Sequence, residues 1–286
     1  MKPAPFSYHD PDRIEEVLAL LGRLENARLL AGGQSLMPML NMRYAQPDHL
    51  IDLGRVEGLD GLTENAEALV CGAMVRQRTL EFSGIVRRRL PILHEALLEV
   101  GHRQTRNRGT LGGSLCHLDP AAELVTIASA LDAEVTIRGP DGERKVPFAE
   151  FPLGFMTPCL APEEMLTEVR LPFWPAGHGY GFVEFARRHG DFAIASAAAL
   201  VLRDGAGRIA RAALVLGGIA AAPVRPRAAE RALVGSRGEE AVIRDVGALS
   251  REVEAMGDAL VPASYRRRLA GVMAERALRR ALASAE

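Results

Sequence analysis

Ala27-Arg28-Leu29-Leu30-Ala31-Gly32-Gly33-Gln34-Ser35-Leu36-Met37-Pro38 begins as a short apolar run and breaks at a glycine pair. Ala27–Ala31 reads as a buried strand meeting a turn. Ser35 precedes Leu36, Met39, Leu40 and Arg43, the spacing of a short helix whose first residue a serine hydroxyl can cap. Pro38 falls in the first turn of that helix, where its missing N–H does no harm. A second glycine turn stands at Gly109-Thr110-Leu111-Gly112-Gly113-Ser114. Beyond it, Asp119-Pro120 is a helix start by composition, with Glu123 in the first turns. A glycine pair lets backbone N–H groups converge on an anion with no side chain in the way. Two strand–Gly-Gly–Ser turns can therefore grip one pyrophosphate from both sides, or each can be only a tight turn.

Outward from these turns, Asp12–Leu24 has helical spacing, with Ile14, Val17, Leu18 and Leu21 on one face. His49–Asp52, Ala68–Cys71 and Val75–Arg78 read as strands or strand ends, and Ile92–Val100 as a helix. Glu134–Arg138 and Arg144–Pro147 flank the hairpin signal Gly139-Pro140-Asp141-Gly142. Thr167–Leu171 reads as a strand. Composition changes at Pro172-Phe173-Trp174-Pro175-Ala176-Gly177, the expected linker. After it come three strand-like runs, Tyr180–Arg187, Ala193–Arg203 and Ile209–Ala220, the last two joined at Asp204-Gly205-Ala206-Gly207. From Arg227 the chain is helical over Ala228–Val234, Glu239–Met256 and Ser264–Ala285. The second part is thus a small antiparallel sheet plus helices.

The chain has 286 residues, enough for about two domains. Its formal net charge of -1 lacks the basic excess of a dedicated nucleic-acid binder. Lysine occurs only at Lys2 and Lys145, the other basic residues being arginine, which fits coding bias better than phosphate recognition. Cys71, Cys116 and Cys159 lie far apart and form no recognisable zinc or iron–sulfur set, as expected of free thiols in a reducing cytoplasm. No apolar signal core or membrane-length run is found. GxSxG, HExxH, GxxxxGK[ST] and GxGxxG are all missing, so spacing alone nominates no catalytic or metal-ligating residue.

Ala31-Gly32-Gly33-Gln34-Ser35-Leu36-Met37-Pro38 resembles the first flavin loop of the FAD-binding subunit of molybdenum hydroxylases, the group of carbon monoxide dehydrogenase medium subunits and the xanthine dehydrogenase flavin domain. Thr110-Leu111-Gly112-Gly113-Ser114 resembles the second loop, and Asp119-Pro120-Ala121-Ala122-Glu123 continues the likeness. Ile51-Asp52-Leu53, Gly72-Ala73-Met74, Arg106-Asn107, Leu166-Thr167-Glu168-Val169, Phe185-Ala186-Arg187-Arg188 and Gly190-Asp191-Phe192 are similar to family positions across the whole chain. The resemblance implies an α+β protein. It would comprise a PCMH-type FAD-binding domain at 1–175, in two α/β subdomains of about 1–57 and 58–175, and a flavoprotein-like C-terminal domain at 176–286 with a three-stranded antiparallel sheet and a helical bundle.

By the same resemblance Ala31, Gly32, Gly33, Gln34 and Ser35 form one FAD loop, and Thr110, Leu111, Gly112, Gly113 and Ser114 the other, holding the pyrophosphate largely through backbone amides. Glu123 matches a carboxylate that hydrogen-bonds FAD, and Leu160 a residue beside the isoalloxazine ring. Gln34 stands where some relatives have His and Ser114 where many have Asn; Glu184 or Val183 occupies the place of a flavin-contacting lysine. With no His or Cys in either loop, FAD is expected to be non-covalent. The implied function is electron transfer. A molybdenum-cofactor large subunit would oxidise substrate and a small subunit with two-iron two-sulfur clusters would relay electrons. This chain's FAD would pass them to an external acceptor, in a heterotrimer that dimerises. The alternatives are a stand-alone flavin oxidoreductase, which needs an acid/base group at the flavin, and a non-catalytic FAD-binding scaffold.

Overall fold

A computed structural model describes all 286 residues. The chain opens with β1 (Ser7–His9), α1 (Ile14–Arg23), β2 (Ala27–Leu30), α2 (Leu36–Asn41) and β3 (His49–Asp52). β3 lies between β1 and β2 and is parallel to both. Parallel neighbours need a crossover, and α1 and α2 supply it. The periodicity of α1 puts Val17 and Leu21 into a small core with Ile51, Leu53 and Met165.

The next segment holds β4 (Leu62–Glu64), β5 (Ala68–Gly72), α3 (Gln77–Phe82), α4 (Gly84–Arg89), α5 (Pro91–Glu99), α6 (Arg103–Arg108), α7 (Leu111–His117) and α8 (Glu123–Ala130). It continues through β6 (Glu134–Gly139), β7 (Gly142–Pro147), β8 (Pro152–Gly154), β9 (Thr157–Pro158) and β10 (Met165–Pro172). β10 inserts between β5 and β6, antiparallel to both, giving the order β4-β5-β10-β6-β7. The hairpin at 139–142 forms as the sequence predicts, with Gly142 at φ 110°.

Val75–Arg78, expected as a strand, instead makes one isolated bridge, Arg76 to Thr110, and turns into α3. Its pairing partner is not a strand, so no ladder can propagate. Asp119 does not cap a helix. Its carboxylate accepts from the Ala121 amide at 2.9 Å in a local turn, and α8 starts only at Glu123.

The last part contains β11 (Gly179–Phe185), β12 (Ala195–Arg203), β13 (Ile209–Gly217), α9 (Arg227–Leu233), α10 (Glu240–Ser250) and α11 (Ala263–Ser284). Its antiparallel sheet β11-β12-β13 is buried on both faces. Phe182, Ala198, Leu200, Ala213 and Val215 join the core that also holds residues of α5 and α8. Val183, Ala197, Ala199, Leu214 and Leu216 face α9 and α11. One apolar core therefore crosses the expected linker. No helix is long and apolar enough to cross a membrane.

Candidate functional site

The two glycine segments, far apart in sequence, lie against one another. Ala31–Ser35 leaves the end of β2 and turns into α2, with Gly33 at φ 73°. The Met37 amide donates to the Gly33 carbonyl at 3.1 Å, so helical geometry begins before the expected cap. Ser35 is itself helical, at φ -102° and ψ -46°, and its hydroxyl caps nothing. From Ala31 to Ser35 no amide donates to a protein acceptor. Beside this run lies a cleft of about 490 Å³ lined by Gly32, Gly33, Gln34, Asn41, Asp52 and Arg108 among others.

The second segment differs from its expected form. It follows a helix, α6, rather than a strand, and Leu111–Ser114 is already the first turn of α7. Thr110 caps that helix, its hydroxyl accepting from the Gly113 amide at 3.0 Å. The Leu111 amide donates to the Val75 carbonyl at 3.0 Å, Gly112 to Ala73 at 2.8 Å and Ser114 to Thr110 at 3.2 Å. The amides of Leu111 to Ser114 are thus bonded within the protein, and that of Thr110 is not. These N–H groups are used in fixing α7 to the Ala73–Val75 segment.

The glycines have packing reasons of their own. A Cβ on Gly32 would lie 2.2 Å from the Arg108 carbonyl oxygen, and one on Gly112 would meet Ala73 at 2.7 Å. On Gly113 it would sit 2.6 Å from the Thr110 hydroxyl and 3.2 Å from the Ala31 Cβ. The glycines thus let the two segments close on each other. Only the first then presents its amides outward.

α7 packs against α8, which Glu123 begins, and against β9, which ends two residues before Leu160. Glu123 is the first residue of α8 and is buried. Leu160 is half-buried against the main core. The alternation of β11 sends Val183 and Glu184 to opposite faces of its sheet. Val183 faces the C-terminal core, while Glu184, like Phe182, points toward the first domain and Glu123. Spacing could not reveal this carboxylate pair, because it joins a helix start to a strand of another domain.

Burial pushes both carboxyls up, and for Glu184 the Glu123 and Glu99 charges add to it; Glu184 Oε2 is buried without a hydrogen-bond partner. A carboxyl raised on folding binds its proton more tightly in the native state. Stability from this pair is full below the ordinary carboxylate range and is lost as pH rises through about 7 to about 9. Glu184→Gln should therefore match the wild-type melting temperature at pH 5 and exceed it by a few degrees at pH 9. Parallel melting curves over that range would contradict the pairing.

Comparison with known proteins adds to this geometry. Residues 4–174 match the model for the FAD binding domain in molybdopterin dehydrogenase, and residues 180–281 the CO dehydrogenase flavoprotein C-terminal domain. The chain is 37% identical over 288 residues to the carbon monoxide dehydrogenase medium chain of Afipia carboxidovorans, covering 100% of both chains. It is 38% identical over 284 residues to the alpha subunit of the 6-hydroxypseudooxynicotine dehydrogenase complex of Paenarthrobacter nicotinovorans, covering 99% of this chain and 96% of the relative. The solved carbon monoxide dehydrogenase of Hydrogenophaga pseudoflava that lacks the Mo-pyranopterin moiety contains a chain that superposes with a TM-score of 0.97 at 37% identity, with 100% of each chain covered. With its glycine segments closed into one cradle and both family models matched end to end, the chain belongs to the family of FAD-binding medium subunits of molybdenum hydroxylases.

Proposed function

We propose that this chain is the FAD-carrying electron-transfer subunit of a multi-subunit molybdenum hydroxylase. The observation that carries the reading is the run of unpartnered amides from Ala31 to Ser35 at the cleft that Arg108 and Gly33 line. An uncommitted run of N–H donors beside a guanidinium suits a diphosphate ester. FAD, when bound, accepts electrons and passes them on. The protein contributes position: the Ala31–Ser35 amides donate to the diphosphate, and Thr110–Ser114 forms the wall behind them. Glu123 and Leu160, which resemble family positions at the flavin, are assigned to its flavin end in this reading. Asp52, Asn41 and Arg108 line the cleft with no His or Cys among its residues, which supports non-covalent binding.

The three cysteines are free and too few to supply the four thiolates of an iron–sulfur cluster, so clusters must be carried by another chain. The partners in this reading are a molybdenum large subunit and an iron–sulfur small subunit, in a heterotrimer that dimerises and delivers electrons to an external acceptor in the cytoplasm. The division at 175/176, with a further one near 57/58, is supported by the sheets: β1-β3-β2, β4-β5-β10-β6-β7 and β11-β12-β13 each fall within one of the three segments.

Purified alone, the chain is expected to be yellow, to release one FAD per polypeptide on acid precipitation, and to turn over no purine, aldehyde or carbon monoxide until both partners are added. Flavin remaining with the precipitate would contradict non-covalent binding. A colourless chain that FAD cannot reconstitute would remove the reading. A stand-alone oxidoreductase would need an acid/base group at the flavin, for which the Glu123–Glu184 pair is the candidate, and substrate oxidation by the chain alone would favour that alternative.

A further inference from the structure

The cleft beside Ala31–Ser35 carries more positive charge than the protein neutralises. Arg108 lines it, and half-buried Arg76 donates through Nη1 to the Arg108 backbone carbonyl. Burial and the Arg108 charge both pull the Arg76 guanidinium below its usual range, with Asp52 opposing them. Neither arginine forms an ion pair with a carboxylate of the protein. Asp52 is the acid lining the cleft, and its oxygens are already engaged. Oδ2 accepts from the Tyr8 hydroxyl at 2.6 Å and Oδ1 from the Gly54 amide at 2.8 Å. Several arginines elsewhere do have carboxylate partners. Arg106 is paired with Glu81, Arg144 with Glu164, Arg225 with Glu230 and Arg266 with Asp258.

Two like charges brought to one rim without counter-ions cost stability unless an anion joins them. Guanidinium forks match phosphate oxygens in shape as well as charge. The position of this rim is also fixed. Gly32 packs directly on the Arg108 carbonyl, and Arg76 bonds the same oxygen, so the Arg76 guanidinium and the Arg108 backbone are held beside the Ala31–Ser35 amides, with the Arg108 side chain free to reach into the cleft. We infer that Arg76 and Arg108 are the counter-charges of the FAD diphosphate, clamping it against those amides. The inference rests on the FAD reading above and adds that the dinucleotide's phosphate half is held by charge and not by amides alone.

ADP carries this half without the flavin and is the probe. In the flavin-stripped full chain, Arg108→Met should weaken ADP and FAD binding by the same factor, about tenfold or more, by calorimetry. Raising salt should weaken wild-type ADP binding more than that of the variant. Arg108→Lys should recover part of the loss, since it keeps charge but not the fork. The Arg108 side chain makes no protein hydrogen bond and is exposed, so Arg108→Met should melt like the wild-type apo-chain. Unchanged ADP affinity and salt dependence in Arg108→Met, with FAD still bound, would overturn the clamp and leave the FAD reading standing. A wild-type apo-chain that binds neither FAD nor ADP would instead overturn the FAD reading, and the clamp with it.

Discussion

Gly32→Ala is expected to leave the purified chain nearly colourless, with FAD content below about a tenth of wild type. The added methyl would begin 2.2 Å from the Arg108 carbonyl oxygen and 2.8 Å from the Gly109 Cα, both backbone atoms that no rotamer change can move. The two segments must part, carrying Arg108 away from the Ala31–Ser35 amides. Gly113→Val should act alike, colliding with the Thr110 hydroxyl that caps α7 and with Ala31. Gly33→Val adds a strained backbone, since φ is 73° there. At Gly32 and Gly113 the damage arises between the segments, and at Gly33 within its own turn, rather than against the phosphates. The cleft lies outside the residues of the two large cores, so the fold should persist and the melting temperature fall mainly by the stabilisation that bound FAD supplies. Gly205→Val points into open space in the β12–β13 loop and should keep full flavin. Wild-type FAD affinity in both Gly32→Ala and Gly113→Val would show that this contact does not build the site.

Arg106→Met is expected to destabilise the chain by roughly 3–5 kcal/mol, the range for removing one partner of a buried ion pair. Arg106 and Glu81 are only 8% and 6% exposed, and Nε donates to Glu81 Oε2 at 2.8 Å. The same guanidinium donates to the Val100 carbonyl at 2.9 Å, tying α6 to the end of α5, and Arg78 donates to the other Glu81 oxygen at 2.7 Å. Burial alone would push the Glu81 carboxyl up. Hydrogen bonds from Arg106 and Arg78 outweigh it and hold the group below the usual range. A carboxyl lowered on folding stabilises above its unfolded pKa, and that stability is lost as pH falls through the folded value. The wild-type chain should therefore lose stability on the acid side through Glu81, opposite in sign to the Glu123–Glu184 pair. Arg106→Met should flatten the acid limb of a urea-denaturation series while lowering the whole curve. Recovery of most of the loss by the double variant Arg106→Met, Glu81→Met would confirm that the stranded charge is the cause. A loss below about 1 kcal/mol would place the pair among weak surface contacts.

Much of the fold was legible because its signals are local. Ile14, Val17, Leu18 and Leu21 mark α1 at helical spacing, and the structure buries Val17 and Leu21. Gly139–Gly142 and Asp204–Gly207 mark hairpins where they form. Local signals misled where the deciding partner was distant. Val75–Arg78 has strand composition, but its neighbour across the bridge is the cap of α7. Ser35 and Asp119 have capping chemistry, yet backbone bonding at Gly33 and a turn at Ala121 took their places.

The sequence by itself determined the order of the elements, the two glycine segments and, through their likeness to a known pattern, the cofactor. Only the tertiary structure decided that Gly32 closes on Arg108, that the amides of Leu111 to Ser114 are already bonded, and that Glu184 meets Glu123. It also decided that Arg76 and Arg108 share a rim without counter-ions. Each of these depends on residues tens of positions apart, brought together when β10 inserts between β5 and β6 and when the C-terminal sheet docks on α5 and α8. Periodicity and capping report energies between near neighbours, whereas burial, charge proximity and the space for a Cβ depend on which distant surfaces close on one another.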